Sequence, residues 1–156
     1  IQNRRTWETQ YQLIMALGAL PLSKGARCTL ERIVSLELEP MVVLAANDAL
    51  VRHSTDVDGE IRRALLSESL FRVEGATRAL AMTRQVPSNA SIENIIQFAS
   101  APRNKQMRFW VAAGSPGWPQ SITKTFLMDC IKQGSEDTKR AARSALLGMY
   151  EDWDHL

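Results

Sequence analysis

A short helical pattern returns along this chain at an almost fixed interval, and that interval constrains the fold more than any other feature. Its clearest copy is Asp137-Thr-Lys-Arg-Ala-Ala-Arg-Ser-Ala-Leu-Leu-Gly148, in which Ala142, Ala145, Leu146 and Met149 fall at i, i+3, i+4 and i+7. That spacing puts one apolar stripe on a helix. The same shape recurs at Ala112-Ala113, Ala79-Leu80, Ala49-Leu50 and Ala16-Leu17, in backward steps of 33, 33, 30 and 33 residues. A period of this size is the mark of stacked helical hairpins, none of which can bury its apolar face alone.

Punctuation along the chain agrees with the period. Thr6 to Leu20 reads as a first helix facing inward through Leu13, Ala16, Leu17 and Leu20, and Pro21 to Gly25 as a turn. Helices follow over Thr29–Leu38 and from Pro40 to Arg52, because proline suits a first helical turn. His53 to Gly59 reads as loop. Further helices are expected over Glu60–Ser69, with Ile61, Leu65 and Leu66 inward, then Leu70–Arg84, Ser91–Ser100 and Asn104–Ala113. Gly114-Ser-Pro-Gly-Trp-Pro119 is a breaker, and helices over Ser121–Gln133 and Ser135–Gly148 close the chain. The expected fold is all-α, a right-handed α-solenoid (superhelix) of about five stacked helical hairpins forming one domain over residues 1–156. The opening at Ile1, within the lead-in to a helix, further suggests a piece of a longer protein.

With 156 residues, 45% of them hydrophobic, a core can form without a metal or disulfide staple. Cys28 and Cys130 stand far apart and belong to no CxxC or Cys/His cluster, which fits a reduced, cytoplasmic setting. No secretory leader and no run of 18 apolar residues is present, so no membrane partner is expected. Net charge is only +2, but it is uneven: residues 101–143 hold eight Lys or Arg against three acids, residues 31–74 nine acids against five bases. The basic half leaves open a nucleic-acid-binding role, although the overall excess is weak for one.

From these residues outward, the chain resembles the HEAT-like helical repeat family, in particular the short repeats of the phycobilisome-lyase type. Glu39-Pro40-Met41-Val42 matches the opening of that repeat, Ala46, Ala49 and Leu50 its later positions, and Ala16-Leu17-Gly18 its ending. Lys139 or Arg140 supplies its basic position in the last copy, whereas Val43, Val73 and Gln106 stand where the family carries arginine. The resemblance implies a non-catalytic protein-binding scaffold.

Chemistry is hard to seat in this sequence. His53 lies after a helix and His155 beside the end, with no metal-binding spacing around either. Asp56/Asp58 and Asp152/Asp154 are loop carboxylates with nothing apolar beside them to lift a pKa. Gly114-Ser-Pro-Gly117 lacks the strand-turn-helix setting of a nucleophile elbow. Neither a catalytic residue nor a metal or cofactor is implied.

A binding face is easier to draw. At 100° per residue, the positions five and one before each repeated alanine point away from the core stripe. They read Tyr11, Leu44, Glu74, Met107 and Arg140, then Met15, Asp48, Arg78, Val111 and Ser144; the margin adds Ile14, Asn47, Thr77, Trp110 and Arg143. An apolar row facing water marks a partner site. The expected occupant is a protein segment with an apolar ridge and acidic residues, oriented by Arg78, Arg140 and Arg143. If neighbouring helices close over that row, the same residues are core instead.

Overall fold

The computed structural model describes residues 4–18, 23–35 and 39–153. They form α-helices and one 3₁₀ segment, and among the described residues there is no strand. In order these are α1 (Arg4–Gly18), α2 (Lys24–Ser35), α3 (Pro40–Arg52), α4 (Val57–Leu66), α5 (Leu70–Thr83) and α6 (Asn89–Ser100). A 3₁₀ turn (Pro102–Met107) then leads into α7 (Arg108–Gly114), α8 (Gln120–Gln133) and α9 (Glu136–Leu146).

Local chemistry explains the boundaries, including those that differ from the expected ones. Asp56, expected in a loop, caps α4 by accepting from the Gly59 N–H at 3.0 Å, so that helix begins at Val57. Ser88 and Ser135 cap α6 and α9 in the same way, accepting from the N–H groups of Ser91 and Thr138. Pro40 occupies the first turn of α3. Gly148, at φ +71, ends α9: its N–H reaches the Ala145 carbonyl and the Met149 N–H the Ser144 carbonyl, both at 2.9 Å. That pair of bonds is the Schellman closure, which needs a residue free to adopt positive φ. Met149 therefore lies beyond α9 and is exposed rather than on its buried stripe.

Two compact units divide the chain, Ile1–Ala79 and Leu80–Leu156. In the first, α3 packs against α1, α2 and α4. Its core gathers Ile14 of α1, Leu30 and Val34 of α2, and Val42, Ala45, Ala46, Ala49 and Leu50 of α3, with Tyr11, Met15 and Ile33 against it. Flanked by three helices, α3 is buried from Val42 to Val51, not on a single stripe. The first helix turns differently from the expected register: Leu13 is 61% exposed and Ala16 is exposed, while Ile14 is buried. Two apolar stripes exist on that helix, and α3 packs on the bulkier one, Tyr11-Ile14-Met15. The side chains of Leu17 and Leu20 lie outside the described residues. Ile61 is buried as expected, but Leu66 is 75% exposed, and Ala64 takes the other inward position of α4.

In the second unit, α9 lies between α7 and α8, and α6 contacts both α7 and α8. Ile92, Ile95, Met107, Val111, Phe126, Leu127 and Ala142 are buried there. Trp118 is buried and donates its indole N–H to the Gln85 carbonyl at 3.2 Å. Trp153 is buried edge-on to Phe109, with the Arg140 guanidinium over its ring. The segment after α9 is thus anchored on the unit as far as Trp153.

Within each unit, residues about one sequence period apart meet. Arg27 bonds Glu60, and Arg78 bonds Asp48. A Cβ on Gly75 would strike the Leu44 carbonyl, and one on Gly114 would touch the Ala81 backbone at 3.4 Å. Trp118 bonds Gln85, and the Gly117 N–H donates to the Tyr150 hydroxyl at 3.2 Å.

Candidate functional site

The expected apolar row does not face water. Leu44, Met107, Val111 and Trp110 are buried, as are Ile14, Asn47 and Thr77. Tyr11 and Met15 are half-buried against the first core, and Glu74 and Ser144 are half-buried. Arg140 and Arg143 remain exposed, and Arg140 is engaged by Glu151 at 3.2 Å besides stacking on Trp153. The reason for the correction is the number of neighbours. The helical wheel assumed one buried stripe, but α3 and α7 each touch helices on several sides and bury most of their circumference.

Two members of the row form something the wheel did not foresee. Asp48, on α3, is 2% exposed and accepts from Arg52, one turn further on, and from Arg78 of α5. A carboxylate so deeply placed is tolerable only when paired and hydrogen-bonded, and here two guanidinium groups do this. The chain's second carboxylate clasp is Glu60 of α4, also 2% exposed, which accepts from Arg27 of α2 and from Arg63 at 2.8 Å. That pairing holds Arg63 above its ordinary value, chiefly through the Glu60 hydrogen bond.

Beside the Glu60 clasp opens a cleft of about 360 Å³, framed by α2, α3, α4 and the start of α5. Val34 and Leu50 form apolar wall; Glu31, Glu60, Arg27, Arg63 and Arg72 line the rest. Arg72 differs from the other two cations. Its Nε donates to the Asn47 Oδ1 at 3.0 Å, and among the described residues no carboxylate bonds its terminal nitrogens. Burial pushes its pKa down, partly offset by the field of Glu60 and aided by that of Arg63. Asn47, buried in α3, keeps Nδ2 as a buried donor with no acceptor among the described residues. Among the described residues that line the cleft, three guanidinium groups face two carboxylates, a balance suited to holding an anion.

A smaller cleft of about 190 Å³ in the second unit is lined by Ser100, Arg108, Phe126, Asp129, Cys130 and Gln133. Arg108 spends its donors on the Ala99 and Ser100 carbonyls at 2.8 and 2.9 Å, closing the C-terminus of α6. Burial pushes the Cys130 thiol up to about 11, so it is not an activated nucleophile. Ser115 is buried with its hydroxyl donated to the Ala112 carbonyl at 2.9 Å, and Asp56 is committed to its cap. His53 is the C-cap residue of α3, and His155 and Asp154 lie outside the described residues. No group of three or more His, Cys, Asp or Glu gathers around a metal-sized point among the described residues.

The face drawn from the sequence omits Arg27, Glu60 and Arg72, and has Asn47 only at its margin. A signal for the first pair was present: Arg27 and Glu60 are opposite charges 33 residues apart, one period of the repeat. Asn47 and Arg72 are 25 apart and carried no such sign. None of the described helices is long and apolar enough to cross a membrane. Compared with protein-family models, with curated proteins and with solved structures, this chain matches none.

Proposed function

We propose that this chain is a cytoplasmic HEAT-like α-solenoid, right-handed, that binds a protein partner and performs no chemistry. The observation that carries the stacked-repeat reading is the set of contacts one period apart: Arg27 with Glu60, Leu44 with Gly75, Asp48 with Arg78, Ala81 with Gly114, Gln85 with Trp118. Repeats that lean on their neighbours produce such contacts, and stacked repeats serve widely as binding surfaces. The step from fold to role rests on that analogy. An exposed free thiol at Cys28 fits a reducing compartment.

With Leu44, Met107, Trp110 and Val111 buried, that row offers no apolar groove to a partner. The arginine-lined cleft of the first unit suits an acidic segment. A second reading, nucleic-acid binding, draws on the other unit, where Arg103, Lys105, Lys124, Lys132 and Arg143 are exposed and carry no carboxylate partner among the described residues. Capture on the immobilised chain, with nuclease treatment and a salt series, separates the two. A purified protein partner that binds after nuclease treatment, with a shallow salt dependence, supports the scaffold. Binding that vanishes with nuclease, or falls steeply on a log–log salt plot, supports phosphate contacts and overturns it.

A further inference from the structure

We infer that the cleft beside Glu60 is a socket for a single carboxylate, an acidic side chain of the partner segment, gripped end-on by Arg72; this rests on the protein-binding role proposed above. Four observations converge on it. First, charge: the cleft holds three guanidinium groups and two carboxylates, and Glu60 and Glu31 engage Arg27 and Arg63. Among the described residues one positive charge, that of Arg72, is left over. A monoanion balances it, whereas a phosphate dianion would overshoot and face Glu31 and Glu60 at close range.

Second, geometry: Asn47 holds the Nε edge of Arg72, so the two terminal nitrogens remain as a pair. That pair is the fork that matches the two oxygens of a carboxylate. Because Asn47 is itself buried in α3, the fork is positioned before any ligand arrives. Third, the surroundings: Val34 and Leu50 give the same cleft an apolar wall, fitting the methylene stem of an acidic side chain and an apolar neighbour. Fourth, desolvation: Arg72 is half-buried, where a new ion pair is screened less than one on open surface.

The probe is the blocked peptide acetyl-Leu-Glu-Leu-amide, compared with acetyl-Leu-Gln-Leu-amide and with inorganic phosphate, titrated into the full chain. Nε–Hε signals of the arginines are followed by NMR. The Glu peptide is expected to saturate and to move the Arg72 signal, with affinity at least about tenfold above that of the Gln peptide, since only a carboxylate brings an opposite charge and two acceptor oxygens to the guanidinium fork. Arg72→Gln should erase that preference. Arg72→Lys, which keeps the charge but loses the fork, should leave only part of it. The wild-type comparison of the two peptides needs no variant and so survives any folding defect. Equal affinity for the two peptides, tighter binding of phosphate, or a Glu preference unchanged in Arg72→Gln would overturn the socket. Failure of the scaffold reading looks different: the wild-type chain then captures no protein partner at all.

Discussion

Replacing Gly75 by alanine tests a close approach within the first unit, that of α5 to the α3 backbone. In an exposed helix interior this change stabilises by about 1 kcal/mol, because glycine loses more backbone freedom on folding. Here the added Cβ would overlap the Leu44 carbonyl oxygen and stand 3.0 Å from its carbon and 3.2 Å from the Asp48 nitrogen. Ordinary contacts between carbons are about 3.5–4.0 Å. These are backbone atoms inside a helix and cannot rotate away, so α5 must retreat by at least roughly 0.5 Å. Retreat loosens packing, at about 1–3 kcal/mol, and draws Arg78 away from the buried Asp48 carboxylate, where outright loss of the pair costs about 3–5 kcal/mol. Set against the propensity gain, the net expectation is a loss of about 1–4 kcal/mol. The internal control is Gly25→Ala in α2, whose Cβ would meet nothing within 4 Å. That variant should gain a few tenths to about 1 kcal/mol. Urea unfolding followed by far-UV circular dichroism reads both, compared at unchanged m-value. A Gly75→Ala chain as stable as the parent would refute the backbone contact and, with it, the close pairing of α3 and α5.

Four further outcomes are expected. Met107→Ala with Trp110→Ala, both buried in the second unit, should destabilise by about 2–5 kcal/mol each in thermal or urea melts; an unaltered melt would return that row to the surface. Asp48→Ala removes the carboxylate shared by Arg52 and Arg78 and should cost about 3–5 kcal/mol, with much of the loss recovered when Arg78→Met is added; additive losses would contradict a direct pair. At neutral pH a thiol reagent should label exposed Cys28 and spare Cys130, as mass spectrometry of the native chain can show. Because burial raises the Cys130 thiol to about 11 from 9.0, the folded chain holds that proton more tightly than the unfolded one. Its contribution is therefore complete below pH 9.0 and lost as pH rises towards about 11; stability that climbed over this window in a Cys130-dependent way would reverse the assignment.

Much of the local structure was legible in the sequence. Pro40 opens α3 and Gly148 closes α9 because each residue's own φ preference acts wherever it stands in the chain. The repeated alanines at 49, 79, 112 and 145 are all buried, since small residues at a fixed interval suit close helix packing. Asp56 reads equally well as a loop residue or as a cap, because turns and helix N-termini use the same aspartate side chains, and only the bond from the Gly59 N–H decides between them. The site was far less legible. Asp48 and Arg78 were singled out, but as two exposed residues of a groove rather than as partners of each other.

Periodicity, caps and breakers are properties of a few adjacent residues, and so the sequence by itself determined that this chain would be helical and where most helices would begin and end. Which stripe of each helix turns inward depends on how many other helices press on it. Tyr11-Ile14-Met15 prevailed over Leu13-Ala16 in α1, and α3 disappeared into the first unit, because neighbours distant in sequence supplied the buried area. The same holds for charge: an arginine's role is set by which carboxylate folding brings to it. Helix spacing alone sets Arg52 beside Asp48 and Arg63 beside Glu60, but only tertiary structure brought Arg27 to Glu60 and Arg78 to Asp48, and placed Arg72 on the wall of a cleft.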